Sequence, residues 1–427
     1  MPSRTVQPPR AGELGALYAR VRGTTEALCE PLSVEDYVVQ SMPDASPTKW
    51  HLAHTSWFFE TFVLRPALPR YPAFDERFAV LFNSYYHAAG ERHPRPERGL
   101  LSRPTVEEAF AYRAHVDRWM AELLAGEHGA LAGELPFVIE LGLNHEEQHQ
   151  ELLLTDIKHV LALNPLEPPY RERARTARTS ATPGGERWAT FDGGLVELGA
   201  DGAGFAFDNE RPRHRRFAQP FELARAPVTC GEYLEFVEAG GYRRSEHWLS
   251  DGWDALGRLG WEAPLYWKRD GAAWRIVTLN GARALDLAEP VSHVSFYEAD
   301  AYARWRDARL PLEEEWEHAA EGEELAGNLL DANELHPAAR TRAGARLDQA
   351  FGDVWEWTAS PYTPYPGFRP FHGAIGEYNG KWMSSRYVLR GGSCVTPVRH
   401  IRASYRNFFG PEARWQFTGL RLARSPR

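Results

Sequence analysis

The chain changes character near residue 165. Before that point, stretches with apolar residues at helical spacing are separated by short breaks; after it, Gly-Gly and Pro-Gly pairs and short β-like runs prevail. Between the two lies Arg171-Glu172-Arg173-Ala174-Arg175-Thr176-Ala177-Arg178, continuing to Gly185, a polar and basic stretch without apolar periodicity that reads as a connection. The expected organisation is a helical domain over 1–165, a linker over 166–187 and a loop-rich α+β domain over 188–427. At 427 residues the chain has room for two to three domains of roughly 100–200 residues each.

Four helices are expected in the first part. One runs from Leu14 to Leu28. The second opens at Ser46-Pro47, a capping residue followed by proline at the first helical position, and runs to Leu64. The third begins at Thr105 with Glu108 three residues on, the spacing of a capping box, and ends near Leu124. The fourth runs from Leu135 to Leu163, before Pro165. Four such amphipathic helices suit a four-helix bundle, a scaffold that builds metal sites from inward-facing side chains. In the second part, Trp188–Phe191, Val196–Leu198 and Tyr387–Leu389 read as strands, and Cys230–Ala239 and Tyr297–Arg306 as helices.

Composition narrows the partners. Forty-nine Lys+Arg against 58 Asp+Glu leave a formal charge of −9, the wrong sign for whole-chain attraction to nucleic acid or anionic membranes. Three widely separated cysteines, Cys29, Cys230 and Cys394, provide neither a disulfide framework nor a paired-cysteine zinc site. The first residues lack the apolar run of a signal peptide, and no stretch approaches the ~18 apolar residues of a membrane span. A cytoplasmic protein with no nucleic-acid or membrane partner is expected.

The strongest local signal is Asn144-His145-Glu146-Glu147-Gln148-His149. On a helix, positions i and i+4 share a face, so the imidazoles of His145 and His149 can point at one metal ion. The same residues satisfy H-E-x-x-H, in which two histidines hold zinc and the glutamate is the general base of a protease; Glu146 has that role in a competing reading. Two surface histidines in a polar run are the purely structural alternative. A second group, Trp50-His51-Leu52-Ala53-His54-Thr55-Ser56-Trp57-Phe58-Phe59-Glu60, puts His51 and His54 on nearly the same face of an aromatic-rich helix. If that helix faces the fourth, His54 joins His145 and His149 as a third nitrogen ligand and coordination positions stay open, an arrangement suited to catalytic zinc or non-haem iron alike. His51 reads as an outer partner or core histidine.

The long connection from Arg65 to Pro104 carries Phe82-Asn83-Ser84-Tyr85-Tyr86-His87. Paired tyrosines are commonly core residues. Beside a redox metal a phenolic hydroxyl can instead deliver a proton, general acid catalysis worth about 10²–10⁴-fold. Just downstream, Arg92, Arg95 and Arg98 sit on a proline-stiffened segment, suited to gripping a carboxylate bidentately or to forming a solvated basic loop.

Pro47-Thr48-Lys49-Trp50-His51-Leu52-Ala53-His54, Asn83-Ser84-Tyr85-Tyr86 and His145-Glu146-Glu147-Gln148-His149 together resemble the DinB-like domain of the ergothioneine-pathway sulfoxide synthases. The second part is similar to the formylglycine-generating-enzyme fold. The residues that carry this likeness are Phe207-Asp208-Asn209-Glu210-Arg211-Pro212, Pro227-Val228-Thr229, Pro290-Val291-Ser292-His293-Val294-Ser295, Arg309-Leu310-Pro311 with Glu315-Trp316-Glu317, Gly352-Asp353-Val354-Trp355-Glu356-Trp357 and Arg390-Gly391-Gly392-Ser393. The resemblance covers nearly the whole chain. It implies a multidomain α and α+β protein, a DinB-like four-helix bundle carrying the metal ligands and a formylglycine-generating-enzyme-like (C-type-lectin-like) domain completing the substrate pocket. It further implies an iron(II) enzyme that uses dioxygen to join the thiol of cysteine or γ-glutamylcysteine to imidazole C2 of hercynine, giving a sulfoxide. Carried over by position, the iron ligands are His54, His145 and His149, and the catalytic tyrosine is Tyr85 or Tyr86, with Tyr86 preferred as proton donor. Gln148 matches a contact to the hercynine imidazole. Asn407, Phe408 and Phe409 match a substrate-contacting segment, and Arg95, backed by Arg92 and Arg98, is assigned to the donor's carboxylate.

One departure bears on the chemistry. Formylglycine generators use a cysteine pair after the R-G-G-S segment, whereas Cys394 is followed by Val395-Thr396-Pro397-Val398-Arg399-His400-Ile401 with no second thiol, so the fold is expected without copper and thiol chemistry. Inside the family, a selenoneine synthase attaches selenium from a selenosugar to hercynine on the same two domains, and the chalcogen stays open. Outside it stand the zinc protease and a non-catalytic metal- or sugar-binding module.

Overall fold

The computed structural model describes residues 11–128, 131–172, 187–339 and 345–426. Most of the expected linker, residues 173–186, lies outside the described residues. The chain divides into two compact units, one of Met1–Pro165 with Gly202–Phe207 and Pro370–Asn379, the other of Leu166–Asp201, Asp208–Arg369 and Gly380–Arg427. Two stretches that the sequence assigns to the later domain thus group with the helices. Aromatic packing and a carboxylate cap account for this. The Phe137 ring meets Phe371 edge-on at 4.9 Å and Phe205 at 6.3 Å, while Glu377 accepts the backbone N–H groups of His87 (2.7 Å) and Ala88 (3.1 Å). Among the described residues no helix is long and apolar enough to cross a membrane.

The first unit is built on helices α1 (Ala11–Cys29), α2 (Thr48–Phe59), α3 (Val106–Leu124) and α4 (Leu135–Leu163). Helix α2 packs against α3 and α4, and α1 against α3 and α4. Helix α3 opens on the capping box expected of Thr105 and Glu108: Glu108 N–H donates to Thr105 Oγ1 (3.1 Å) and Thr105 N–H to Glu108 Oε2 (2.6 Å). Helix α2 departs from expectation at its start. Ser46 does not cap it, because its N–H donates to Asp156 (2.8 Å) and its hydroxyl accepts from Arg98 (2.9 Å); the carbonyl of Pro47 closes the first turn instead. Beyond Phe59 the helix continues through a wider turn, Glu60–Leu64, and a last turn at Arg65–Ala67.

All twelve residues of α2 are buried. A helix buried on every side is ordinarily apolar, yet α2 carries Lys49, His51, His54, Thr55 and Ser56, and each buried polar group requires a partner. Lys49 Nζ donates to the carbonyls of Leu101 (2.5 Å) and Pro104 (3.0 Å), Arg22 donates to Ser56 Oγ (3.0 Å) and Arg113 to Thr55 Oγ1 (3.3 Å). The partners of the two histidines form the site described below.

The second unit is α+β. Its four-stranded sheet is ordered Asn407–Phe409, Tyr387–Arg390, Trp355–Pro361, Thr418–Gly419, the last pair parallel. Helices Cys230–Glu238 and Phe296–Trp305 each open on a capping box, from Thr229 and Ser295. Several of the motif residues serve the core. Arg390 pairs with Glu313 (2.6 Å) and Glu317 (2.9 Å), Arg406 with Glu313 (2.6 Å), and Arg421 with Glu356 (2.7 Å), which also accepts from Trp316 Nε1 (2.7 Å). Gly391 has φ +96°, and a Cβ there would stand 2.8 Å from the Ala350 carbonyl, so a side chain is excluded twice over. Cys29, Cys230 and Cys394 are buried and outside any disulfide; burial pushes Cys29 up to about 12 and raises Cys230.

Candidate metal centre

Helix α2 supplies His51 and His54, and α4 supplies His145 and His149. One ring nitrogen from each of His54, His145 and His149 lies within 4.8 Å of the others, with His54 Nε2 3.2 Å from His145 Nε2. The three residues are 1%, 5% and 9% exposed, so water reaches them little. Each ring is held from outside the cluster. His54 lies between Trp50 and Trp57, four residues before and three after it on the same helix, stacked at 4.5 and 5.6 Å, and its Nδ1 meets the Phe82 carbonyl at 2.6 Å. His145 stacks on Phe58 at 4.8 Å, and its Nδ1 is buried with no hydrogen-bond partner among the described residues. His149 Nδ1 is 2.8 Å from His51 Nδ1, and His51 Nε2 is 3.1 Å from Asp156 Oδ2.

Burial holds the His54 and His149 imidazoles well below their ordinary value, with His145 acting in the same direction, and pushes His145 down to about 4. All three are neutral at pH 7 and keep lone pairs to offer. His54 and His149 have their Nδ1 atoms engaged, which leaves Nε2 as the donor atom. Three neutral, desolvated imidazoles converging with no carboxylate among them form a donor set that fits a divalent transition metal with open positions.

The neighbouring Glu146 serves another purpose. It is fully buried, and Oε1 accepts from Thr25 Oγ1 (2.7 Å) and Arg113 Nη2 (2.7 Å) while Oε2 accepts from Arg22 Nη1 (2.9 Å). Burial alone would raise its carboxyl, but Arg113 and Arg22 bring it down to about 2. A carboxylate so committed on both oxygens cannot activate a water, and the H-E-x-x-H protease reading is set aside on this geometry.

Tyr86 is buried, its ring 5.5 Å from Trp57 and 6.4 Å from Phe58, the two aromatics that stack on His54 and His145. Asn83 shapes its turn, accepting from Tyr86 N–H (3.2 Å) and donating to the Tyr86 carbonyl (3.0 Å). Tyr85 is half-buried; its hydroxyl accepts from Arg95 Nη1 (3.1 Å), and its ring lies 5.9 Å from Tyr378. Arg95 also meets Asp44, whose carboxylate is 3.8 Å away. Exposed Arg92 donates to the Ser84 carbonyl. Arg98 is buried flat against Trp50, 3.3 Å from the ring centroid, and donates to the hydroxyls of Ser46 and Ser84; among the described residues no carboxylate pairs with it. Burial lowers its guanidinium to about 9.

Gln148 is half-buried beside His149 on α4. Asn407, Phe408 and Phe409 belong to the other unit, where Phe408 stacks on Tyr362 at 4.1 Å and Phe409 meets Trp415 edge-on at 5.7 Å. Sequence reasoning missed Asp156, although it stands seven residues after His149 on the same helix face, a spacing open to view. It also missed Arg22 and Arg113, whose partnership with Glu146 joins three helices and leaves no local trace.

The DinB superfamily model matches residues 17–153, and the sulfatase-modifying factor enzyme 1-like domain matches residues 172–351 and 346–426. Fold and site thus define a two-part protein, a DinB bundle with a three-histidine cluster followed by a domain of the sulfatase-modifying-factor type. The hercynine oxygenase of Mycobacterium tuberculosis is 34% identical over 444 residues, covering 96% of this chain and 98% of that protein. That of Mycolicibacterium smegmatis is 34% identical over 412 residues, covering 90% and 92%. Ergothioneine biosynthesis protein 1 of Schizosaccharomyces pombe is 26% identical over 234 residues, 52% of this chain and 28% of that protein. The chain belongs to the hercynine oxygenase family.

Proposed function

We propose that this protein is an iron(II)- and dioxygen-dependent enzyme that forms the C–S bond at imidazole C2 of hercynine and oxidises the sulfur to a sulfoxide, in ergothioneine biosynthesis. The overall change balances: a thiol, the C2–H of hercynine and O2 give the sulfoxide and one water. The observation that carries the reading is the cluster of three neutral, buried imidazoles in a chain whose relatives along its full length are hercynine oxygenases. His54, His145 and His149 would hold the metal, which when bound supplies redox chemistry and open positions for thiol and dioxygen.

The remaining roles fall to the chain's own groups. Tyr86 Oη, in its aromatic pocket beside the residues that stack on His54 and His145, donates the proton; Tyr85, tied to Arg95, is the alternative. A buried guanidinium that lies over Trp50 and donates to serine hydroxyls, with no carboxylate paired to it among the described residues, favours an incoming anion, so Arg98 joins Arg95 in binding the carboxylate of the donor. Gln148 contacts the hercynine imidazole. Asn407, Phe408 and Phe409 contact substrate, and the two aromatic faces suit the trimethylammonium group. Donor competition tests the chalcogen: iron-loaded enzyme offered hercynine with γ-glutamylcysteine, cysteine and a selenosugar is expected to consume a thiol. Consumption of the selenosugar alone would make it a selenoneine synthase.

A further inference from the structure

We propose that Asp156 and His51 form a directional hydrogen-bond relay that sets the tautomer of His149 and aims its Nε2 at the metal. The inference rests on the reading of His149 as a ligand. Three buried groups are joined in succession: Asp156 Oδ2 to His51 Nε2 at 3.1 Å, then His51 Nδ1 to His149 Nδ1 at 2.8 Å. Asp156 Oδ2 also accepts the N–H of Ser46 at 2.8 Å, which fixes the carboxylate in this direction.

Two donor orders fit these distances, and one of them leaves His149 able to bind a metal. An ionised carboxylate only accepts, so His51 Nε2 carries the hydrogen and donates it to Asp156. With a single ring hydrogen, at Nε2, His51 presents a lone pair at Nδ1 and accepts, so the hydrogen between the rings belongs to His149 Nδ1. His149 Nε2 is left bare. Were His51 to donate from both nitrogens, His149 Nδ1 would accept and its hydrogen would sit on Nε2, where it would block a metal. The other two histidines are treated differently: His54 Nδ1 has a backbone carbonyl, and His145 Nδ1 is buried with no hydrogen-bond partner among the described residues. The relay therefore gives His149 an outer support backed by a carboxylate, where His54 has a carbonyl. Asp156 and His51 are positioning residues.

The test measures cobalt(II) and iron(II) affinity against a competing chelator, the visible spectrum of the cobalt(II) protein, and the melting temperature of the metal-free protein. Loss of an outer partner typically weakens metal binding by about 10–100-fold. His51→Phe, which fills the space but removes both hydrogen bonds, is expected to show this loss with an altered cobalt spectrum. Asp156→Asn, which keeps an acceptor oxygen but not the charge, should fall between it and wild type. His51→Asn, whose amide oxygen can accept from His149, should recover part of the affinity with no gain in melting temperature over His51→Phe. Wild-type affinity and spectrum in either His51→Phe or Asp156→Asn would overturn the relay. If His51→Phe does not fold, Asp156→Asn decides alone by the same criterion. Failure of the wild-type protein to bind either metal would overturn the metal reading itself and the relay with it.

Discussion

Glu146→Gln isolates the contribution of the buried ion cluster beside the histidines. In the folded protein Glu146 stands between Arg22 and Arg113, whose other carboxylate partners, Asp117 and Glu26, are partly exposed. Neutralising Glu146 leaves two guanidiniums short of charge in a dry site, and breaking a buried pair in this way costs about 3–5 kcal/mol. The carboxyl itself leads to a similar figure: lowered from 4.5 to about 2, it carries on the order of 3 kcal/mol of pH-linked stability. Because the folded value is depressed, that stability is present above about pH 4.5 and is lost as pH falls toward 2. For a unit of this size, about 2–4 °C per kcal/mol puts the drop in melting temperature at roughly 6–20 °C. Thermal unfolding of metal-free wild type and variant at pH 7 and pH 3 reads it, and the gap should narrow at the lower pH. Equal melting temperatures at pH 7 would refute the reasoning.

His149→Ala should weaken iron(II) binding beyond the ~10–100-fold expected for loss of an outer partner; full occupancy would mean that another residue completes the site. Tyr86→Phe should leave iron and hercynine binding intact while slowing sulfoxide formation by about 10²–10⁴-fold or diverting the thiol to simple oxidation, and an unchanged rate and product ratio would move the role to Tyr85. Arg98→Met should raise KM for the thiol donor by about 10–100-fold, from ~1.5–3 kcal/mol of charge-assisted hydrogen bonding, with metal affinity unchanged; an unaltered KM would return the carboxylate to Arg95 alone. Metal-free protein should lose stability as pH falls from about 6.5 toward 4, since the unfolded chain protonates His145 in that range and the folded one does not. A flat unfolding midpoint across it would contradict a neutral, buried His145.

What could be read from the sequence followed the range of the interactions. His145 and His149 are visible because i,i+4 spacing is a local property of one helix, and the Thr105 capping box is visible for the same reason. His54 required only that two helices face each other, which a bundle supplies. Local rules failed where distant residues compete. Ser46 has the composition of a helix cap, but Asp156 and Arg98 claim its N–H and hydroxyl. Glu146 fits a protease motif, and only Arg22 and Arg113, from α1 and α3, reveal its other purpose. Helix α2 shows no clean apolar stripe because it is buried all round, so its polar residues could not be sorted into surface and core. The return of Pro370–Asn379 to the helical unit draws on contacts from Glu377, Tyr378 and Phe371 that no periodicity announces.

The central claim is tested most directly by the mass of the product formed under ¹⁸O2. Protein prepared without oxygen, loaded with iron(II) and given hercynine with γ-glutamylcysteine or cysteine should yield a hercynine–thiol conjugate carrying one ¹⁸O at sulfur, and none when His149 is replaced by Ala. A conjugate without label, or no conjugate with either thiol while iron is bound, would contradict it.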